Sequence, residues 1–162
     1  MSVQNMKDLF IHGVQDVYYA EQRIVESLPK MADAVDSEEL EQAFRSHLEE
    51  TRGHVERLEK VFANLDMKPK GTKCPAIEGI IKESKEIMSE VKDKETLTAA
   101  ILADAQAVEH YEIARYGTLC EWAKLLGEDD SHKLLQETLE EEKDADQKLN
   151  KIAKSSVNRR AA

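Results

Sequence analysis

Four long stretches of this chain carry apolar residues at alternating spacings of three and four. This spacing places the apolar side chains on one face of a helix, as in helices that pack into a bundle. Three prolines and six glycines in 162 residues leave these stretches almost uninterrupted. The pattern predicts an all-α protein whose main helices cover approximately residues 5–35, 36–67, 93–127 and 131–152.

Several residues mark the ends of these helices. Ser37 precedes an acidic first turn, which is typical of a helix N-terminus, and Gly127 is suited to end the following long helix. Pro75 opens a short helix that reaches Val91 and is apolar on one side. Pro29 lies within the first helical pattern and predicts either a kink or a break there.

The lengths of the connections predict the topology. The first two long helices are joined tightly, as are the last two, so each pair should form an antiparallel hairpin. About 28 residues separate the pairs, enough for a crossover along the bundle, and this arrangement is that of ferritin-like four-helix bundles. We expect a single domain over residues 1–157 and a frayed tail over residues 158–162, which contains the basic pair Arg159-Arg160.

Charge and composition exclude several classes of partner and location. The net charge of −10 argues against nucleic acid or an anionic membrane surface as a partner. No apolar run approaches the roughly 20 residues of a membrane span, and no secretory signal pattern begins the chain. Cys74 and Cys120 are too few for a disulfide scaffold. We therefore expect a cytoplasmic protein.

The apolar stripe of the first helix is interrupted by a carboxylate. Glu21 lies on the same stripe as Val17, Ile24 and Leu28. A buried carboxylate must be paired, protonated or bound to a cation, because burial of an unpaired charge is costly. The alternative is that Glu21 lies on the flank of the helix.

The second and third long helices carry polar groups at matching positions. His47, Glu50 and His54 fall on one face of the second helix and could ligate a metal, or the histidines could be core residues bonded to carbonyls. Glu109 and Glu112 are one turn apart on the third, where they repel each other unless a cation or proton lies between them.

The last helix contains the acidic run Glu140-Glu141-Glu142-Lys143-Asp144. Either Glu141 with Asp144, or Glu142 on the apolar stripe, could face the core, and the sequence leaves this choice open. In antiparallel hairpins, these carboxylates and the carboxylates and imidazoles of the other three helices would meet at one level along the bundle axis. Such a layer of carboxylates and imidazoles holds two metal ions in ferritin-like proteins.

Three motifs carry a resemblance to a known family. They are Asp16-Val17-Tyr18-Tyr19-Ala20-Glu21-Gln22, His47-Leu48-Glu49-Glu50-Thr51 and Val108-Glu109-His110-Tyr111-Glu112. In this order they resemble the YciF/YciE-type family of ferritin-like stress proteins, over nearly the whole chain. The resemblance implies a fold like that of rubrerythrin and bacterioferritin, a role in bacterial stress responses, and a homodimer.

The resemblance also implies a ligand pattern. Glu21 matches the single glutamate of the first helix, and Glu109 and Glu112 match the Glu-x-x-Glu of the third. Glu141 and Asp144 match the Glu-x-x-His of the fourth, with aspartate in place of histidine.

The second helix departs from the family pattern. If His54 is aligned with the family histidine, Thr51 falls where a bridging glutamate is expected. Glu50 would then have to compensate, and His47 could replace His54 as the nitrogen ligand.

The sequence thus predicts a dinuclear iron or manganese site, with two ions per chain, that reacts with peroxide or oxygen. Tyr18, Tyr111 or Tyr116 could donate hydrogen bonds around it. The alternative is a non-catalytic dimeric stress protein with a vestigial site, whose carboxylates pair with the histidines and with Arg52 or Arg57. The expected ligands are Glu21, His47, Glu50, His54, Glu109, Glu112, Glu141 and Asp144.

Overall fold

The computed structural model describes residues 3–162, and all of its regular structure is helical. The five main helices are α1 (Met6–Ala34), α2 (Glu38–Asn64), α3 (Pro75–Glu90), α4 (Lys94–Leu126) and α5 (Asp129–Ile152). The described residues include no helix that is both long enough and apolar enough to cross a membrane. The predicted all-α fold, with four long helices and one short one, is confirmed.

Side chains and backbone geometry define where the helices begin and end. Asn5 accepts a hydrogen bond from the Asp8 amide at the start of α1, and Asp93 accepts one from the Thr96 amide at the start of α4. The Ser37 side chain caps α2 in the same way, as predicted. Gly127 ends α4 in the left-handed conformation, with φ of 73°, which glycine adopts at little cost.

Two features differ from the sequence expectations. Helix α1 continues through Pro29 to Ala34, so the break that was one of the two predicted alternatives does not occur. Beyond α5 the chain forms a π-helical turn, Ala153–Val157, and a short helix, α6 (Asn158–Ala161), instead of fraying. Arg160 anchors this end by donating to Glu95 and to the carbonyl oxygen of Asp36.

The four long helices form a ring in the order α1, α2, α5, α4, and every neighbouring pair is antiparallel. Between α2 and α5, for example, Asn64 donates to Ser131 near one end, while His47 lies next to Glu142 farther along. The hairpins α1–α2 and α4–α5 are therefore joined by a crossover that runs along the bundle. The backbone amide of Thr72 in this crossover donates to the carbonyl oxygen of Gln15, which fixes it against α1.

The interior consists of two apolar halves with a polar layer between them. On α1 one apolar half extends as far as Tyr18. The other half begins at Ile24 and also includes the small side chain of Ala20. The same division occurs between Phe44 and Leu58 on α2, and on α4 and α5 at corresponding depths. Helix α3 covers the half that contains Phe44, where Ile77 and Ile81 join the core. The polar layer therefore lies between two packed apolar regions.

Candidate metal centre

Each of the four long helices places at least one ionisable side chain in the polar layer. The positions follow from helix periodicity, because each of these residues replaces an apolar residue on the buried stripe of its helix. All six are at most 7% exposed, and three of the four glutamates are fully buried. They are Glu21 on α1, His47 and His54 on α2, Glu109 and Glu112 on α4, and Glu142 on α5.

These six side chains form two overlapping groups. His47, Glu109, Glu112 and Glu142 each offer one ligand atom, and these four atoms all lie within 4.8 Å of one another. Glu21, His54 and Glu142 form a second group that meets the same criterion. Glu142 belongs to both groups, with Oε1 3.0 Å from His54 Nδ1 and Oε2 3.8 Å from His47 Nε2. We call these six residues the carboxylate–histidine cluster.

Most of the polar atoms in the cluster have no hydrogen-bond partner. Both oxygens of Glu112 and both of Glu142 are buried without one, as is Oε2 of Glu21 and of Glu109. Unpartnered buried carboxylates are strongly unfavourable, so the arrangement requires a cation or protons. Carboxylate oxygens with a few imidazole nitrogens are donors that suit iron and manganese, and the residues present match such a donor set.

The imidazole nitrogens that face the cluster are also free of hydrogen bonds. His47 Nε2 lies 3.2 Å from Glu109 Oε1, and His54 Nδ1 lies 3.0 Å from Glu142 Oε1. Neither contact has the geometry of a hydrogen bond, although both distances are short enough. Each ring therefore directs a nitrogen at the carboxylates without donating a proton to them in a defined bond.

The other nitrogen of each ring faces a second carboxylate outside the cluster. His47 Nδ1 lies 3.3 Å from Glu50 Oε2, and His54 Nε2 lies 2.9 Å from Glu141 Oε2. Arg57 holds Glu141 through two hydrogen bonds of 2.6 and 2.7 Å. A proton kept on the outer nitrogen by such a carboxylate leaves the inner nitrogen free to bind a metal. Glu50 and Glu141 thus orient the two histidines.

A tyrosine completes the immediate surroundings. The hydroxyl of Tyr116, which is fully buried on α4, donates to Oε1 of Glu21 at 2.5 Å. Tyr18 instead donates to Glu59, and the Tyr111 hydroxyl lies 3.0 Å from Cys74 Sγ. Of the three tyrosines considered from the sequence, Tyr116 is the one that contacts a cluster residue.

Without a cation, the cluster retains protons. Burial raises the pKa of Glu112 well above its ordinary value, and the nearby carboxylates of Glu142 and Glu21 raise it further. Burial likewise raises the pKa of Glu142 to about 8, although His54 opposes this. Burial would lower the pKa of His54, but the carboxylates of Glu21 and Glu142 outweigh it and raise it to about 10.

His47 behaves in the same way as His54. Burial would lower its pKa, but Glu109, Glu50 and Glu142 outweigh burial and raise the value well above the ordinary one. A metal cation would take the place of these protons, because it supplies the positive charge that the carboxylates require.

The structure brings together five of the eight predicted ligands and separates the other three from the cluster. Glu50 and Glu141 lie on the outer sides of the histidines. Asp144 is exposed and lies outside the cluster, because it is two residues from Glu142 and therefore points away from the core on a helix that turns about 100° per residue. The five residues brought together are Glu21, His47, His54, Glu109 and Glu112.

Glu142 is the cluster residue that is missing from the eight expected ligands. Its signal was present, because Glu142 lies on the apolar stripe of α5 with Leu135, Ala145 and Leu149. The family pattern favours Glu141 instead, whose side chain is 34% exposed and bound to Arg57.

Thr51 lies at the α2 position where the resemblance implies a bridging glutamate, and it bonds within its own helix. Thr51 is buried, and its hydroxyl donates to the carbonyl oxygen of His47. It therefore contributes no ligand, and Glu142 is the carboxylate that both ligand groups share.

Comparisons by family, by sequence and by structure relate this chain to the same group of proteins. The family described as "Domain of unknown function (DUF892)" matches residues 5–162. The protein YciF of Escherichia coli (strain K12) is 46% identical over 162 residues, which cover 99% of this chain and 98% of the relative. The crystal structure described as that of the E. coli stress protein YciF superposes with a TM-score of 0.91, over 96% of this chain and 99% of that one.

Two further solved structures have the same fold. YcfI from Rhodopseudomonas palustris, whose description suggests a structural protein, is 54% identical, with a TM-score of 0.91 over 92% of this chain and 95% of that one. A protein from Xanthomonas campestris pv. campestris is only 19% identical and shares the fold, with a TM-score of 0.77 over 95% of each chain. The full-length match to YciF confirms the resemblance predicted from the three motifs. Together with the family match over residues 5–162, it shows that the chain belongs to the DUF892 family.

Proposed function

We propose that this chain is a ferritin-like stress protein that binds two iron or manganese ions in the carboxylate–histidine cluster and reacts with peroxide or oxygen. The observation that carries the proposal is the position of Glu142, whose carboxylate belongs to both ligand groups. A carboxylate shared by two groups of donors is the arrangement expected of a bridge between two ions.

The charge of the cluster supports two divalent ions. Four buried glutamates contribute four negative charges when ionised, and the two histidines are neutral when they act as ligands. Two divalent cations would balance this charge. Within the described residues, the salt-bridge partners of Glu21, Glu109 and Glu142 are His47 and His54, and Arg57 is bound to Glu137 and Glu141 instead.

Two metal ions, when bound, would supply redox electrons and open coordination positions for a small oxidant. Side chains of the protein orient the ligands, hold a proton and exclude water. Glu141 faces Nε2 of His54 and Glu50 faces Nδ1 of His47, so a proton held on each outer nitrogen would leave the inner nitrogen directed at the cluster. Tyr116 holds a proton at Oε1 of Glu21, and the apolar halves above and below exclude bulk water.

The second candidate is a non-catalytic, dimeric protein with a vestigial site, and the description of YcfI as a structural protein favours it. In that case internal ion pairs should neutralise the layer. Arg57 neutralises Glu141 at the edge, while Arg52 bonds with Glu49 on the exposed surface. His54 lies 3.0 Å from Glu142 and His47 lies 3.2 Å from Glu109, and protonated histidines would neutralise these two carboxylates. Glu112 has neither a hydrogen-bond partner nor a salt bridge in the described residues, which weakens this candidate.

Elemental analysis of bound metal tests the proposal. The chain is purified without chelators, and a portion is stripped and reloaded anaerobically with Fe²⁺ or Mn²⁺. We expect about two ions per chain. A content near zero after loading with either metal would contradict the proposal and leave the scaffold candidate.

Two variants of α5 test the role of Glu142, and one of them is the control. Glu142→Gln removes the shared ligand, whereas Glu140→Gln changes an exposed residue of the same helix. We expect Glu142→Gln to lose at least one ion per chain and to slow the consumption of hydrogen peroxide by the iron-loaded protein, while Glu140→Gln retains both properties. Full metal content without consumption of peroxide or oxygen would limit the function to metal binding.

A further inference from the structure

A partly open cavity of about 150 Å³ adjoins one side of the carboxylate–histidine cluster. All five main helices contribute to its wall, and two of the six cluster residues, His47 and Glu109, belong to it. These two residues are 7% and 3% exposed, whereas the other four cluster residues are completely buried. The cluster therefore has one side that borders on accessible space.

The accessible side belongs to the first ligand group alone. His47 and Glu109 are both members of that group. Nε2 of His47 and Oε2 of Glu109 are themselves buried, so the exposed surface lies on other atoms of these two side chains. Rotation of either side chain would therefore connect the cavity with the first group. The second group has no exposed surface on any of its members, which are Glu21, His54 and Glu142.

The carboxylates on the outer sides of the two histidines differ in the same sense. Glu141, beside His54, is held by two hydrogen bonds from Arg57, of 2.6 and 2.7 Å. Such a two-fold contact between arginine and carboxylate is strong and geometrically specific. Glu50, beside His47, lines the cavity and has a 37% exposed side chain, and its salt-bridge partner within the described residues is His47. The second group is thus closed on its outer side by an ion pair that the first group lacks.

The charges on the cavity wall leave the route open to a cation. Arg23 is paired with Glu26 and Glu78. Exposed charges are screened by solvent and salt, whereas the carboxylates of Glu50 and Glu109 lie at the inner end, beside the cluster. The remaining cationic residues of the wall are exposed; they are Lys30, Lys85 and Lys148.

We propose that this cavity is the entrance to the cluster for a divalent cation, and that the two ligand groups differ in access. The first group exchanges its ion with solvent through the cavity, while the second group, closed by Arg57 and Glu141, exchanges slowly. This inference rests on the proposed dinuclear site and adds to it that one ion per chain is replaceable and the other is retained.

The rate of metal release tests the difference in access. The full-length protein is loaded with Mn²⁺, or anaerobically with Fe²⁺ if Mn²⁺ does not bind, and is mixed with excess EDTA. Metal that remains on the protein is measured at intervals by elemental analysis. We expect two phases of about one ion per chain each. Their rates should differ at least about tenfold.

Variants of the cavity wall test the route. Ala105→Leu, at a buried position of the wall, should fill part of the cavity and slow the fast phase at least about threefold. Uptake should slow by the same factor with little change in Kd, because a higher barrier affects both directions equally. Ala107→Leu, at an exposed position of α4, is the control and should behave like the parent. Val108→Phe, at a half-buried wall position, replaces Ala105→Leu if that variant does not fold.

A variant of the ion pair tests the closure of the second group. Arg57→Gln frees Glu141, so we expect the slow phase to accelerate at least about threefold in both uptake and release. A variant that merely binds its ion less tightly would accelerate release alone. Arg52→Gln, at an exposed position of the same helix, should leave both phases unchanged.

The inference is overturned if both ions leave at one rate, or if the filling variants that fold exchange metal as fast as the parent. It is also overturned if Arg57→Gln leaves the slow phase of uptake unchanged. Two bound ions that leave at one rate would contradict this inference alone and leave the dinuclear proposal intact. A metal content near zero with either metal would contradict both.

Discussion

Glu112 is the residue at which the metal-binding and vestigial hypotheses differ most sharply. Its carboxylate is fully buried, neither oxygen has a hydrogen-bond partner, and three other carboxylates raise its pKa. At pH 7, keeping a carboxyl with an ordinary pKa of 4.5 protonated costs about 3 kcal/mol, at about 1.4 kcal/mol per pH unit. Leaving it charged and unpaired costs more.

The substitution Glu112→Gln removes this cost without changing the size of the side chain. The new amide group can donate to the neighbouring carboxylates of Glu21, Glu109 and Glu142. We expect the metal-free variant to be more stable than the metal-free parent by about 1–3 kcal/mol. In a domain of this size, that gain raises Tm by about 3–9 °C.

Added metal should act in the opposite direction and stabilise the parent more than the variant. A ligand that binds only the native state stabilises it by about 2.7 kcal/mol at 100 times its Kd, and the variant has lost a charged ligand. Thermal melts with and without excess Mn²⁺ should therefore show a large upward shift for the parent and a small one for Glu112→Gln. Glu121→Gln, at an exposed position of the same helix, should melt like the parent in both conditions.

The vestigial hypothesis makes the opposite prediction for the same melts. If Glu112 takes part in internal pairs, its replacement breaks them, and the metal-free variant melts below the parent. A lower Tm for metal-free Glu112→Gln, together with no effect of metal on the parent, would refute our reasoning about the cluster.

Three further outcomes are expected. Between pH 6.5 and 8 the free energy of unfolding of the metal-free protein should fall by about 1.4 kcal/mol per pH unit for each of Glu142 and His54. In this range both groups keep a proton in the native state and release it in the unfolded chain, and urea melts at several pH values measure the slope. Glu141→Gln should weaken Mn²⁺ binding about 10- to 100-fold in calorimetry, since the amide orients His54 less firmly. Gly71→Ala should destabilise the protein by about 1–3 kcal/mol in urea melts, because its Cβ would lie 3.1–3.2 Å from Tyr19.

The amino-acid pattern alone specifies the helices and the depth of the polar layer. The spacing of apolar residues indicates which face of a helix is buried, and this information is local. The spacing favours interior positions for Glu21, Glu109 and Glu112, and all three are buried. The same reasoning locates Ser37 and Gly127 at helix ends, since caps depend on neighbouring backbone groups.

Packing between helices determines which carboxylates lie inside the cluster and which lie around it. In the run 140–144 every residue is charged, and the sequence leaves open whether Glu142 or Glu141 with Asp144 faces the core. Packing against α2 and α4 decides that Glu142 is buried and Asp144 is exposed. The positions of Glu50 and Glu141 beside the outer nitrogens of the two histidines likewise depend on ring orientation and on Arg57. The physical reason is that helix periodicity fixes the direction of a side chain, whereas its partners come from other helices that are distant in the sequence.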